Sequence, residues 1–268
     1  MPLYHYCGND AFLSILKSKC VRLSDLSMSN DYMEGKWIRD RVLERLPEHN
    51  IGCAAKNFIE ENITKYTTII GGVGFCLSEE GDLLSQWRGY ADDGSGVSIG
   101  FNKNRLGGLG FGTELCKVQY NTESQLSIAD SLIGGVKDAL PEDFSGSDNG
   151  IYAHDANDEI FRYINHLYRM KNPSFYEEKE WRLLRAVAAN PDCSNELHFM
   201  DFKAKGGGIA PYVDVSLGSD IEDIIKNDVI EEVFLGPRNT TPPKVVKGVL
   251  DKYGFPKVEV KNSAASYR

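Results

Sequence analysis

The stretch FCLSEEGDLLSQWRGYADDGSGVSIGF, Phe75 to Phe101, decides the fold. Its first residues close an apolar run, Val73 to Leu77, of the length of a buried strand. Ser78 stands where a cap can precede a helix, and Leu83, Leu84, Trp87 and Tyr90 fit one helical face. Asp92-Asp93-Gly94 reads as a turn. Val97 to Phe101 then returns as a strand.

Working outward toward the N-terminus, Leu3 to Tyr6 reads as a short strand. Asn9 or Asp10 can cap a helix whose apolar side is Phe12, Ile15 and Leu16. Cys20 to Leu23 is a second strand. A longer helix starts at Asp31, carries Met33, Trp37, Ile38, Val42 and Leu46 at helical spacing, and ends at Pro47. Ala54 to Lys65 is a further helix. Toward the C-terminus, strands are expected at Leu115 to Tyr120, Trp181 to Val187, Tyr212 to Val215, Glu232 to Leu235 and Val258 to Val260. Helices are expected at Ala156 to Met170, broken by Asn172-Pro173, and at Lys244 to Tyr253. Residues 121–170, with their polar SGSDNG loop, read as a helical insertion. Strands and helices mix without a regular βαβ alternation. That favours an α+β fold, one domain over 1–268, with a largely antiparallel or split sheet flanked by helices.

The 268-residue chain carries a net charge of -9, so its overall field repels nucleic acid and anionic membrane. No run approaches the roughly twenty apolar residues of a membrane span. The opening MPLYHYCGND has no basic start followed by an apolar run, so a secretory signal is not expected. The six cysteines, Cys7, Cys20, Cys53, Cys76, Cys116 and Cys193, form no C-x-x-C pair; free thiols in a reducing cytoplasm are expected, and no zinc site. The five histidines (His5, His49, His154, His166, His198) are too scattered for a local metal centre, and no metal is expected. P-loop, G-x-G-x-x-G, H-E-x-x-H and G-x-S-x-G patterns are absent. The glycines from Gly107 to Gly112 read as a flexible hairpin. One region opposes the acidic average. Arg162 to Arg185 holds six Lys or Arg against three Glu, interleaved with aromatics such as Phe175, Tyr176 and Trp181. Such a stretch can hold phosphates and stack on bases, or it can be a charged solvated face over an aromatic core face.

Three constellations carry chemistry. On the opening strand, period two sets His5 opposite Tyr4 and Tyr6, where it can hydrogen-bond a ligand or remain a core histidine. In SEEGDLLSQWRGY, the residues Ser78, Ser85, Gln86, Trp87, Arg88 and Tyr90 gather polar and aromatic groups at a helix entrance, and helix N-termini attract phosphate. Trp87 and Tyr90 share a face and can both be core anchors. In EEKEWR, an extended strand would point Glu178, Glu180 and Arg182 one way, with Lys179, Trp181 and Leu183 on the core side. A carboxylate so placed can stabilise an oxocarbenium-like centre or bind a ribose hydroxyl; equally, Glu180 and Arg182 can form a surface ion pair.

Several segments in order resemble the largely bacterial domain-of-unknown-function family DUF2971. They are LYHY at Leu3 to Tyr6, RLSDLSMSNDYMEG at Arg22 to Gly35, the Phe75 to Phe101 stretch, KVQY at Lys117 to Tyr120, FYEEKEWRLL at Phe175 to Leu184, EEVFLGP at Glu231 to Pro237, and the closing SYR. Where members carry N-D-P-x-E, this chain has Asn30-Asp31-Tyr32-Met33-Glu34. The order of a strand with L-Y-H, a helix, a strand ending in L-S and a helix with a tyrosine is also similar to the His-Tyr-Glu clade of ADP-ribosyltransferases. That resemblance implies an ADP-ribosyltransferase-like fold with NAD as substrate. His5 would hold a ribose and the nicotinamide amide, Tyr90 would stack near the nicotinamide, and Glu180, with Glu178 as the rival carboxylate, would hold the other ribose. It implies a cytoplasmic ADP-ribosyltransferase or NAD glycohydrolase, acting as a toxin or antiphage effector on a protein or nucleic-acid acceptor. Ser78, Trp87, Arg88, Glu178 and Arg182 join His5 and Tyr90 as candidate binding residues. Two other readings stay open: a non-catalytic nucleotide- or nucleic-acid-binding module using Arg162 to Arg185, and a phosphodiester-cleaving enzyme using His5 with the Glu-Arg row.

Overall fold

The computed structural model describes residues 1–29, 31–110, 112–146, 151–188, 200–205, 207–218 and 228–267. Cys193, His198, Asn30, Arg268 and most of the SGSDNG loop lie outside the described residues.

Ten described strands form one sheet. They are β1 (Leu3–Cys7), β2 (Cys20–Asp25), β3 (Ile70–Ser78), β4 (Val97–Phe101), β5 (Glu114–Lys117), β6 (Glu180–Ala188), β7 (Asp201–Lys205), β8 (Gly208–Ser216), β9 (Ile230–Leu235) and β10 (Glu259–Asn262). The principal order is β10-β9-β4-β1-β3-β2-β8-β7, with β6 on β3 and β5 on β6. Among the described strands only β9 and β10 pair in parallel and the other pairs are antiparallel; an isolated parallel bridge joins Gln119 and Met170. The mixed α+β class and the largely antiparallel sheet expected from the sequence are therefore present.

β3 is where the sheet divides. One of its edges is fully occupied by β6, from Ile70↔Ala188 to Ser78↔Glu180. The other edge is shared: β1 meets it only at Ser78, and β2 only at Gly74 and Val73. Between those contacts, Phe75 to Leu77 has no strand partner on that edge. The gap places the candidate site.

Both faces of the sheet are covered. One carries Leu3, Phe75, Leu77, Ile99 and Leu183 against α1 (Asn9–Ser18), whose Phe12, Ile15 and Leu16 are buried as the helical spacing requires, and against Val246 and Leu250 near the C-terminus. The other face lies under α2 (Trp37–Arg45), α3 (Cys53–Ile69), α6 (Thr122–Ala139) and α7 (Ile151–Arg162). Ile38, Val42, Ile59, Ile63, Leu132, Ile133 and Ile160 pack there with Leu184 and Tyr168. Each such side chain contributes roughly 1.5–3 kcal/mol on leaving water. Tyr168 approaches β3 so closely that a Cβ on Gly72 would lie 2.5 Å from its ring. The remaining described α-helices are α4 (Leu84–Tyr90), α5 (Lys103–Leu106) and α8 (Pro243–Lys252). Among the described residues no helix is long and apolar enough to cross a membrane.

Several local expectations need correction. Gly8, not Asn9 or Asp10, occupies the N-cap of α1, with no side-chain cap. Asp31 starts a turn and not a helix: its Oδ1 accepts from the Met33 N–H at 2.9 Å, and the helix begins at Trp37. The region expected as one helix from Ala156 to Met170 ends as α7 at Arg162 and continues as a 3₁₀ turn, Ile164–His166. Lys103 to Leu106 is a short helix, and β4 and β5, on either side of the glycine-rich run, pair with other strands and not with each other, so they form no hairpin. β7 was not expected: DFKAK alternates, with Asp201, Lys203 and Lys205 on one face and Phe202 and Ala204 on the other, but it is short and carries only one large apolar residue.

Candidate functional site

A cavity of about 490 Å³ opens at the gap between β1 and β2. This is the size of an ordinary small-molecule site. Its floor is β3 from Gly74 to Leu77. β1 supplies Tyr4, His5 and Tyr6; β2 and the 3₁₀ turn Leu26–Met28 supply Arg22, Ser24, Asp25, Leu26 and Met28. α4 supplies Gln86, Gly89 and Tyr90. The fourth side holds Lys171, Glu178, Glu180 and Arg182.

His5 bridges the gap in the ladder. Its Nδ1 lies 2.8 Å from the Cys76 carbonyl, a group that only accepts, so Nδ1 carries the proton and Nε2 is left as an acceptor. The ring stacks on Phe75 at 4.1 Å between centroids. Among the described residues Nε2 has no partner, and it is not sealed from solvent, so it opens on the cavity. Burial pulls the imidazole down to about 4, against the opposing bond to Cys76 and with the field of Lys203. The ring is neutral at pH 7.

The fourth side is a buried charge network. Arg182 is 1% exposed, and all five of its N–H donors are used. Nη1 and Nη2 grip Glu34 at 2.6 and 2.9 Å, Nε and Nη2 hold Glu180 at 2.8 and 2.9 Å, and Nη1 also meets the Tyr168 carbonyl at 2.8 Å. Lys171 bonds Glu180 at 3.2 Å and also Glu178. The Tyr90 hydroxyl donates to Glu178 at 2.7 Å. Burial pushes the Glu180 carboxyl up, but the charge and bonds of Arg182, then Lys171, outweigh it and hold the carboxyl at about 2. Burial, then Glu178, pushes the Tyr90 phenol well up, so it stays protonated and donates.

The two carboxylates differ. Oε2 of Glu180 takes two donors and Oε1 one, all from the network. Each oxygen of Glu178 takes one, which leaves lone pairs free. Glu178 does not stand on the strand as the alternation implied. The strand starts at Glu180, Lys179 is left-handed at φ 46°, and Glu178 closes the 3₁₀ turn Pro173–Glu178. Trp181 and Leu183 do face a core, but the Glu180 face is no solvated surface: the helices of the second layer cover it. Glu180 and Arg182 are an ion pair, and a buried one.

The structure brings together His5, Tyr90, Glu178, Glu180 and Arg182, and leaves out three other candidates. The hydroxyl of Ser78 donates to the Glu178 carbonyl at 2.7 Å and accepts from the Glu80 N–H; the N-cap of α4 is Leu83. Trp87 is a core anchor, edge-on to Tyr6 at 4.8 Å, and does not share the fate of Tyr90 despite the helical spacing. Arg88 lies away from the cavity, 5.7 Å from the Tyr267 ring. The basic run is largely neutralised in place: five of its six cations, Arg162, Arg169, Lys171, Lys179 and Arg182, are paired with carboxylates. Sequence reasoning gave no role to Glu34, Lys171 or Arg22. Glu34 stood in the quoted NDYMEG segment, but its partner is 148 positions away. Among the described residues, no group of three or more His, Cys, Asp or Glu could hold a metal ion.

The family model described as "Protein of unknown function (DUF2971)" matches residues 86–183. The matched span contains Tyr90, Lys171, Glu178, Glu180 and Arg182, that is, one side of the cavity and most of α4. His5 and Glu34 lie before it. No curated protein and no solved structure gives a match.

Proposed function

We propose that the cavity binds NAD as substrate and cleaves its nicotinamide–ribose bond, making the chain a cytoplasmic ADP-ribosyltransferase or NAD glycohydrolase. The observation that carries this reading is that an accessible histidine acceptor, a tyrosine and a carboxylate with free lone pairs, from three distant parts of the chain, line one cavity. The charge of the fourth side supports it. Glu178 and Glu180 balance Lys171 and Arg182, 2 − 2 = 0, so the wall offers carboxylate acceptors to ribose hydroxyls without a net positive charge against a pyridinium ring.

In this reading His5 Nε2 accepts from a ribose hydroxyl and the Tyr90 ring flanks the nicotinamide. Glu178 is the reacting-side carboxylate, and Glu180, held by three bonds from Arg182 and Lys171, fixes the geometry. The C1′–N bond breaks with its electron pair going to the departing ring, which leaves as neutral nicotinamide. Water or an acceptor nucleophile forms the new bond at C1′ and loses its proton to solvent. The leaving group is already good, so positioning contributes most.

The test is release of nicotinamide from NAD by the purified chain, with and without candidate acceptors. Glu178→Gln should slow release by on the order of 10²-fold or more. No nicotinamide from the wild type, or an unimpaired Glu178→Gln, sinks the reading. One observation favours a second reading: both carboxylates already hold cationic partners, which also suits a module that binds a nucleotide without reacting. That reading expects NAD binding with no turnover, surviving Glu178→Gln.

A further inference from the structure

The closing Ser263 to Tyr267 segment lines no part of the cavity, yet it holds both ends of the helix that does. It leaves β10 along the sheet, the Ser263 N–H bonding the Leu235 carbonyl at 2.9 Å. At the start of α4 it meets Asp82. One oxygen of that carboxylate accepts from Trp87 Nε1 at 2.6 Å and from the Ser263 hydroxyl; the other accepts from the Ala264 N–H at 2.7 Å. At the far end the Tyr267 hydroxyl donates to Asp93 at 2.8 Å, and Arg238 reaches the other oxygen of the same carboxylate. The turn gripped there is unusual. Asp92, Asp93 and Gly94 run left-handed in succession, at φ 47°, 53° and 83°, a region that favours glycine and is uncommon for two neighbouring aspartates.

α4 needs such support. It has seven residues and no side-chain N-cap. Two turns of helix are marginal without tertiary contacts. Its buried anchor is Trp87, whose indole N–H is held by the same Asp82 that holds the tail. Tyr90, three residues on, is 39% exposed and reaches Glu178 across the cavity.

We propose that the C-terminal segment is a clasp that sets the position of α4, with Asp82 and Tyr267 as positioning residues for Tyr90. The clasp rests on the NAD reading only for its activity readout. The test is hydrogen exchange on the full-length chain, wild type against Asp82→Ala and Tyr267→Ala. In Asp82→Ala, amides of residues 84–90 should exchange about tenfold faster or more, while those of 97–101 and 180–188 keep their protection. In Tyr267→Ala, a partly exposed site whose loss the fold tolerates, the rise should be about two- to fivefold and confined to 90–95. Unchanged exchange at 84–90 in Asp82→Ala overturns the clasp, as does equal loss of protection across the sheet. If nicotinamide is released, Asp82→Ala should raise KM for NAD more than it lowers kcat; wild-type values for both also overturn the positioning role. If the wild type releases none, the functional reading fails and the exchange result alone decides the clasp.

Discussion

The two long sides of the cavity are built on opposite plans. The β6 side is one ion network buried between a strand and a helical layer, with every guanidinium proton spent. The α4 side is a two-turn helix, half exposed, held at its ends by side chains from the tail. A buried ion network tolerates little displacement, because any shift leaves charge without a partner in a poorly solvating interior. α4 rests on one buried side chain, Trp87, and on hydrogen bonds at partly exposed positions, each contributing about 1 kcal/mol. The difference teaches where the site's stability is concentrated: the carboxylates stand in a buried ion network, while the tyrosine opposite them stands on a helix placed by local bonds.

The largest effect should come from breaking the rigid side. Arg182→Ala leaves Glu34 and Glu180 buried without their cation and should lower stability by about 3–5 kcal/mol in chemical denaturation. Replacing Glu34, Glu180 and Arg182 together with apolar residues of similar volume should cost far less. If the single variant is as stable as the wild type, the contrast between the two sides disappears.

An intermediate effect lies in the acid limb of stability. His5 sits at about 4, below its ordinary 6.5, so the fold prefers the neutral ring. Its contribution is full above 6.5 and is lost as pH falls through 4. Glu180 sits at about 2, below its ordinary 4.5, so the fold prefers the carboxylate. Its contribution is full above 4.5 and is lost as pH falls toward 2. Denaturation midpoints measured against pH should fall in two overlapping stages. Glu180→Gln should flatten the lower stage and His5→Asn the upper. A slope unchanged in both variants removes the electrostatic account.

The smallest effect belongs to the clasped side. Tyr90→Phe removes one bond to Glu178, which keeps Lys171, at a partly exposed position. It should cost no more than about 1 kcal/mol. A loss comparable to that of Arg182→Ala would mean that α4 is as rigid a wall as β6.

What the sequence made legible was local. Alternation and helical spacing located β1, α1, β3 and β4 closely, and Asp92-Asp93-Gly94 declared its turn. His5, Tyr90 and Glu180 could be named because each stood in a short segment of distinctive composition. The ion network could not be seen, since Glu34, Lys171 and Arg182 meet through tertiary packing that leaves no spacing rule. Glu178 was assigned to a strand because nothing in EEKEWR announces the left-handed Lys179 that breaks it. The opposite fates of Trp87 and Tyr90 depend on how tightly α4 lies against β1, which no periodicity records.

The unpaired stretch of β3 has one more consequence. In an extended strand the amide and carbonyl of a residue face the same edge; at Cys76 the carbonyl is held by His5, which leaves the amide on the open edge of the cavity floor. Any amino acid other than proline at position 76 presents the same donor. A molecule recognised there is read by a feature that point substitution cannot erase, and the selectivity of the floor is written in the topology of the sheet.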